Sequence, residues 1–598
     1  MTKKYILINT QNTNYWSKEG DIIFLGEWCI NEKNKKLLEN RKYKILEYHW
    51  NDREKFNKDY AYLEKVYEKY VEKLAAEFNL INNINNSSEY WRILISDWLK
   101  QFIDNLFDKY QCLKKIEQSY KISITLLPEE KEKPPLIIEK YTDEYQNEII
   151  SYIIKNLKKI NYEEMKNKLE EEEKQFKLKK IMKDIKKNII KTKNIYSNKI
   201  LLKISKLLKY KILITGHLFL EKKETIKFFK SIKQFLIIYQ GEEICFKKLN
   251  KKNIRDKIKL EIAENEFEKI LEKVLINKMP QIFIEYHESY AKKIRIETSS
   301  KLKKIITAGS ILNPISVNYL SAIQKEIYGT KLLNIQHGGS YTSTKYNPNE
   351  INIIKNYDIY YTWGLKLKES NKIKIMPSLR LLDKELNADE IEYDGNIMWV
   401  AARYDRYKTY ADSSLSGPHM KIYINDQEKF LTIINENVKE KIYRRYRNDS
   451  WNEAEIFKAK YKWLQMQEAK IKLNQYYIST NFKEELRKCR LIICTCNETT
   501  MLESLSINFP TIIYWNKKYV EISAEAEYYF DRLNEVGILF YDPIEAANKV
   551  NEIYGNIKLW WNNKKIQTVR EEFCEKLCYS NKDWDSIWSK ELLSEENL

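Results

Sequence analysis

Between Lys303 and Gln336 the chain alternates in a way that leaves few folds open. "KKIITAGS" is a short apolar run ending in a turn, "NPISVNYLSAIQKEIYG" has helical spacing, and "KLLNIQ" is a second short apolar run. Asn313 is placed as the helix N-cap, Pro314 at the first helical position and Gly329 just past the end. Strand, helix and strand joined in this way predict parallel strands, because the helix carries the chain back to the starting edge of the sheet. "YDIYYTWG", closed by Gly364, adds a further strand. The alternation resumes near Gly395. "NIMWVAARYDRY" and "EKIYRRYR" read as strands, "NFKEELRKC" as a helix and "RLIICTC" as a strand. "NETTMLESLSIN" then reads as a helix, "FPTIIYW" as a strand, and "GILFYD" with "PIEAANKVNEIYG" repeats the pattern. Ligands of open α/β sheets gather beyond the carboxyl ends of the strands. His337, directly after "KLLNIQ", stands at such an end.

The first half is less regular. "YILIN" and "DIIFLGEW" are strand-like, and from about residue 60 to 122 the spacing is helical, with Trp91, Ile95, Trp98, Phe102 and Leu106 forming one apolar stripe. That stripe is expected to be core. Residues 161–191 read as a charged helix on which Met165, Leu169, Phe176, Ile185 and Ile189 keep helical spacing. "NKILLKISKLLKYKILI" reads as a helix covering a sheet, followed by a strand; its basic amphipathic face also suits an anionic membrane surface. The domain plan is an N-terminal α/β domain over 1–385 with helical insertions at about 55–275, a second α/β domain over 386–560, and a helical segment over 561–598 packing back. The expected class is therefore α/β, with two Rossmann-like domains and a cleft between them.

Composition narrows the function. With 43% hydrophobic and 13% aromatic residues the 598-residue chain can bury large cores, which excludes a disordered protein. The net charge of +19 suits an anionic partner, although much of the surplus lysine is expected to be solvated surface. Nucleic acid is not the expected partner, because the basic residues are dispersed among acids and no nucleic-acid-binding motif is present. Eight cysteines without a CxxC pair, Cys494 and Cys496 lying inside an apolar run, argue against zinc and against a disulfide scaffold. Neither a signal peptide nor a spanning helix is expected, so the reading is cytoplasmic, with peripheral contact to the inner face of the membrane kept open.

The chemistry concentrates in two motifs. In "QHGGSY", His337 offers a base for an acceptor hydroxyl or a cationic partner for phosphate, while Gly338 and Gly339 let backbone approach a ligand closely. In "CNETTMLESLSINFPTI", Asn497, Glu498, Thr499 and Thr500 open a helix, whose positive end and hydroxyls suit phosphate. Glu503, one turn deeper on the same face as Thr499, suits ribose hydroxyls. Arg403 and Arg406 follow a strand and are placed as phosphate clamps, ahead of Arg444 and Arg445, which are expected to face solvent. Glu27 and Asp52 are the candidate general bases from the first half, near His49 and Arg53. His217 and His287 carry no usable context.

Two α/β domains, a His-Gly loop and a Thr-Thr helix with a following Glu resemble the glycosyltransferase B fold. More closely, "IFLGEWC", "YHWNDREKFNKDY", "YWRILISDWL", "NIQHGGSY", "YYTWG" and "ETTMLESLSINFPTI" resemble a family of transferases from O-antigen and other surface-polysaccharide loci. The resemblance covers nearly the whole chain except about 125–260. A looser similarity is to Kdo, sialic-acid-type and CDP-glycerol-type transferases. The resemblance implies a catalytic or phosphate-facing His337, donor phosphate at Thr499 and Thr500, and ribose at Glu503. It implies a nucleotide-activated sugar as donor, a glycan or lipid-linked glycan as acceptor, and no cofactor. Departures are Glu498, where a small residue is expected and where an acid is tolerable only if turned away from phosphate, and the lack of a partner for a second catalytic histidine. No DxD-like pair stands at a strand end, so metal is not required. Transfer of a polyol phosphate from a CDP donor is the neighbouring enzymatic alternative, and nucleic-acid binding the alternative of another class.

Overall fold

The computed structural model describes residues 4–17, 19–129, 134–138, 142–165, 212–234, 238–239, 253–298, 301–308, 314–367, 370–382, 386, 390–446, 460 and 482–594. Within them the chain builds three sheets, each wholly parallel. The first contains β1 (Lys4–Ile8), β2 (Ile22–Phe24), β3 (Tyr43–Ile45), β4 (Lys121–Pro128) and β5 (Tyr162–Met165), in the order β3-β2-β1-β4-β5. The second contains β6 (Ile212–Gly216), β7 (Ile238–Tyr239), β8 (Lys304–Ala308), β9 (Lys331–Ile335), β10 (Ile359–Thr362) and β11 (Ile373–Ile375), in the order β11-β10-β9-β8-β6-β7. The third contains β12 (Asn396–Val400), β13 (Ile442–Arg445), β14 (Cys489–Cys494), β15 (Thr511–Tyr514) and β16 (Leu539–Phe540), in the order β13-β12-β14-β15-β16.

Among the described residues, the helices of eight residues or more are α1 (Arg53–Asn82), α2 (Ser88–Ser119), α3 (Asp143–Leu157), α4 (Lys222–Ser231), α5 (Glu266–Lys278), α6 (His287–Glu297) and α7 (Ile315–Tyr328). After these come α8 (Pro348–Asn356), α9 (Met420–Ile433), α10 (Thr499–Ser506), α11 (Ala524–Glu535), α12 (Pro543–Ile553), α13 (Lys564–Leu577) and α14 (Trp584–Leu593). The α1–α2 pair shows how local chemistry sets these boundaries. α1 stops where Asn83 enters the left-handed region at φ 50°, and α2 starts where the Ser87 hydroxyl accepts the Tyr90 N–H. Trp91, Ile95, Trp98, Phe102 and Leu106 are all buried, and they join one core with the first sheet and part of the second.

Each carboxyl-end crevice follows from strand order. In the third sheet the order reverses direction between β12 and β14, and in the second between β6 and β8, so ligand crevices belong beyond those pairs. The loop after β12 also reaches back to the first sheet's unit. Arg406 donates through Nε to the Trp28 carbonyl at 2.9 Å and pairs with Asp143 at 3.0 Å, and the Tyr407 hydroxyl bonds Asp143 as well. Farther along, Asn105 donates to the Lys408 carbonyl at 2.8 Å, Gln101 to the Tyr410 hydroxyl at 2.8 Å, and the Ala411 N–H to Asp104 at 2.9 Å. The last helices bridge the other two units. α13 packs beside α10 and α11, while α14 lies on α4, with Trp588 donating to the Pro377 carbonyl at 2.9 Å and Trp584 stacked on Phe228.

The α/β class holds, and the first half differs from its sequence reading. The stretch taken as helical insertion contains β4, β5, β6 and β7, so residues 4–375 carry two sheets. Met165 ends β5 instead of sitting on a charged helix, because residues 162–165 pair edge-on with β4; Leu169, Phe176, Ile185 and Ile189 lie outside the described residues. So does most of the Lys-rich stretch, whose end forms β6. Asn313 also lies outside them, and Pro314 occupies the N-cap of α7. Gly329 closes α7 at φ 64°. Among the described residues no helix is long and apolar enough to cross a membrane.

Candidate active site

The two motifs meet. β9 delivers His337, Gly338 and Gly339 onto the start of α10, which β14 delivers from the third sheet. The Gly339 N–H donates to Thr499 Oγ1 at 3.1 Å, and Asn497 donates to Ser343 Oγ at 3.0 Å. A Cβ on Gly339 would stand 2.7 Å from the Glu498 carbonyl carbon and 2.8 Å from Thr499 N; one on Gly338 would stand 3.0 Å from Thr499 Oγ1. Gly339 is therefore needed because two backbones approach each other, one from each sheet, while Gly338 leaves room for the Thr499 hydroxyl. Neither uses a positive φ.

The loop that holds His337 is fastened from below. Gln336 donates to the Gly338 carbonyl at 2.9 Å and accepts the Trp363 N–H at 2.8 Å, which locks the strand end to β10. Thr342 sits in the left-handed region at φ 60°, and its N–H donates to both oxygens of the buried Glu350, at 3.0 and 2.8 Å. Burial pushes the Glu350 carboxyl up to about 7 against the opposing effect of that bond.

Beside His337 lie three residues that sequence reasoning passed over. Phe219 packs edge-on to the His337 ring at 5.4 Å and lies 5.0 Å from the His217 ring, centre to centre. The Arg380 guanidinium sits 4.7 Å from the centre of the Phe219 ring. His217 follows β6, at the crevice of the second sheet, and its Nδ1 accepts the Phe219 N–H at 2.9 Å. That bond puts the proton of the neutral imidazole on Nε2. Phe219 holds φ 60°, a costly conformation for a bulky residue, of the sort found where surroundings fix a site. The available signals were positional: His217 directly follows the apolar "ILITG", and Arg380 follows the "IKI" of β11 by a few residues.

The remaining candidates separate. Glu503 pairs with Arg380 at 2.9 Å, so a ribose would share that carboxylate with a guanidinium. Glu498 stands at the N-cap of α10 without capping it, and Oε1 accepts the Arg403 N–H at 3.1 Å, so the carboxylate turns to the end of β12. The first turn of α10, with Thr499 and Thr500 half-buried, thus keeps its positive end uncapped by a side chain. The Arg403 side chain is 43% exposed near this crevice. Arg406 is not beside it: its guanidinium is spent on Trp28 and Asp143. Asp52 caps α1, accepting the N–H groups of Glu54 and Lys55 at 3.0 Å each, and Arg53 pairs with Glu521 across to the third unit. Arg444 does not face solvent; it is fully buried, stacked 3.7 Å from the centre of the Trp399 ring, while Arg445 pairs with Glu485. Glu27 lies just beyond β2, with its carboxyl pushed up by burial and drawn down by Lys421.

One buried trio, His49, Asp108 and Cys112, has donor atoms within 4.8 Å of one another. Its chemistry does not fit a metal. Asp108 already accepts from Tyr48 at 2.8 Å, His49 at 3.0 Å and Lys109 at 2.6 Å, and burial holds the Cys112 thiol well above its usual range.

A model of the LIC12162 family of transferases matches residues 5–592. The chain belongs to that family. No curated protein matches this LIC12162 family member. Among solved structures, an α-glucosyltransferase in complex with UDP and a 13-mer DNA containing a central A:G mismatch aligns with 51% of this chain and 81% of its own, at 11% identity and a TM-score of 0.29. An overlay at that score carries no argument about fold. The α/β class rests on the three parallel sheets themselves.

Proposed function

We propose that this transferase moves a sugar from a nucleotide-activated donor to a hydroxyl of a surface-polysaccharide intermediate, O-antigen or capsule-like, in the cytoplasm. The observation that carries the reading is that Phe219 gathers the His337 and His217 rings and the Arg380 guanidinium, while Gly339, two residues past His337, bonds Thr499 in the first turn of α10, whose N-terminus no side chain caps. Donor phosphate sits at the first turn of α10 against Thr499 and Thr500, where N–H groups and Arg403 offset the charge of the leaving nucleotide. The reaction needs no metal in this reading, since guanidinium and helix dipole supply the positive charge. His337 takes the proton of the acceptor hydroxyl as its oxygen bonds the anomeric carbon and the bond from that carbon to the donor phosphate breaks. Glu27, a carboxyl raised by burial, belongs to the acceptor side. The +19 charge supports peripheral contact with anionic lipid when the acceptor is lipid-linked.

The test is a thermal-shift panel of the full chain against CMP, CDP, UDP, GDP and dTDP, with and without magnesium. A nucleotide binding only the native state at about 100 times its Kd adds roughly 2.7 kcal/mol. One nucleotide stabilising wild type without magnesium, and much less so Thr499→Val, is the expected result. No shift with any nucleotide overturns the donor assignment, and full transfer by His337→Ala overturns its role as base.

A further inference from the structure

A second polar site lies under the sheet that carries His337. α2, α7, β9 and α8 enclose a narrow pocket lined by Asp97, Asn318, Ser321, Asn334, Asn352 and Asn356, together with a few apolar residues. It is small, with room for roughly one or two water-sized occupants. The polar lining is one carboxylate, four neutral amides and the Ser321 hydroxyl, with Tyr357 beside them. No hydrogen bond or ion pair among the described residues engages the Asp97 carboxylate. The basic side chains on the same helices are taken: Lys100 by Glu64 and Asp104, Lys355 by Glu64 and Glu68, and Arg92 by Glu68 and Glu72. Asp97 is half-buried at the pocket wall, and desolvation pushes its carboxyl up to about 7. Two lining residues also keep buried polar atoms without partners, Nδ2 of Asn352 and Oδ1 of Asn356, the latter's Nδ2 being spent on Ser96 at 2.7 Å. Exchanging O and N of the Asn352 amide by a flip turns an oxygen inward without changing its shape.

We propose that this pocket binds one dehydrated alkali cation, held by the Asp97 carboxylate and by side-chain oxygens of Asn318, Ser321, Asn334, Asn352 and Asn356. Oxygen-only donors select a hard cation. Charge selects its valence: a monovalent ion with one carboxylate leaves the pocket neutral, whereas a divalent ion leaves an unpaired positive charge in the interior. Magnesium would in addition need to keep several waters, for which the pocket has no room. The occupant ties together α2, α7, α8 and β9, whose carboxyl end leads two residues later to His337.

The experiment compares the thermal midpoint of the full chain in potassium, sodium, rubidium and choline chloride at constant ionic strength. One alkali chloride should raise the midpoint over choline by on the order of 2 °C, saturating with concentration. The isosteric Asp97→Asn variant should lose that dependence. Equal midpoints in all four salts, or a dependence retained in Asp97→Asn, each overturns the proposal. Should Asp97→Asn fold poorly, anomalous scattering from wild-type crystals grown in rubidium decides: a rubidium peak among Asp97, Asn334 and Asn352 supports the site, and ordered water there refutes it. These readouts involve no transfer activity, so their failure leaves the transferase reading untouched.

Discussion

Replacing Gly339 by alanine tests whether the two half-sites are held together by close backbone packing. The added Cβ would stand 2.7 Å from Glu498 C, and ordinary contact begins at 3.4 Å, so the gap must widen by about 0.7 Å. The obstructing atoms are backbone, which cannot rotate away as a side chain can. Widening also stretches the Gly339 N–H···Thr499 Oγ1 bond, now 3.1 Å, out of range. Overpacking and one lost hydrogen bond together cost roughly 2–4 kcal/mol. Displacing His337 from the α10 terminus by that much should lower the transfer rate on the order of 10²-fold. Urea unfolding followed by the fluorescence of the 14 tryptophans reads the first effect, and initial transfer rates read the second. Gly555→Ala is the control, since its Cβ meets nothing within 4 Å. If Gly339→Ala matches Gly555→Ala in both midpoint and rate, the close-packing argument is wrong.

Two further outcomes are expected. Asp52→Ala should cost about 0.5–2 kcal/mol of stability through loss of the α1 cap while leaving turnover intact, whereas lost turnover at unchanged stability would restore Asp52 as a base. Glu350 binds its proton more tightly folded than unfolded, so its contribution to stability is complete below about 4.5 and is lost as pH rises through about 7. The thermal midpoint of wild type should fall relative to that of Glu350→Gln between pH 5 and 8, by the equivalent of at most roughly 3 kcal/mol. Parallel pH profiles would show that Glu350 is not buried with its proton.

Elements specified by their own neighbours were legible in the sequence. The α2 stripe, the strand leading to His337 and the alternation after Gly395 are read from periodicity and turn residues, and the structure has them at those places. What depended on distant partners was not. β4 pairs with β1 across more than 110 residues of chain, and it falls inside the stretch of about 55–275 that the sequence reads as helical insertion. Asp52 looks like a base or a cap with equal ease, because both roles follow a strand-like run; only the N–H groups of Glu54 and Lys55 decide it. Arg406 looked like a phosphate clamp because Asp143 is invisible from its own segment. His217 lacked context for the same reason, since β6 and β9 share an edge only once β8 lies between them.

The loop after β12 has a consequence for how the chain is made. Asp104 and Asn105 are buried on α2, and their partners, the Ala411 N–H and the Lys408 carbonyl, follow 307 and 303 residues later. A ribosome delivers the first sheet and its helical pair long before those partners exist. Until residue 411 emerges, each such polar group is either hydrated, which keeps α2 from packing fully, or sealed at a cost of about 1–3 kcal/mol. The N-terminal unit is therefore completed by the C-terminal one, since these two buried hydrogen bonds form only after the loop that follows β12 has been made. Cutting the gene between β11 and β12, the boundary the strand pattern suggests, would part Asp104 and Asn105 from the partners that satisfy them.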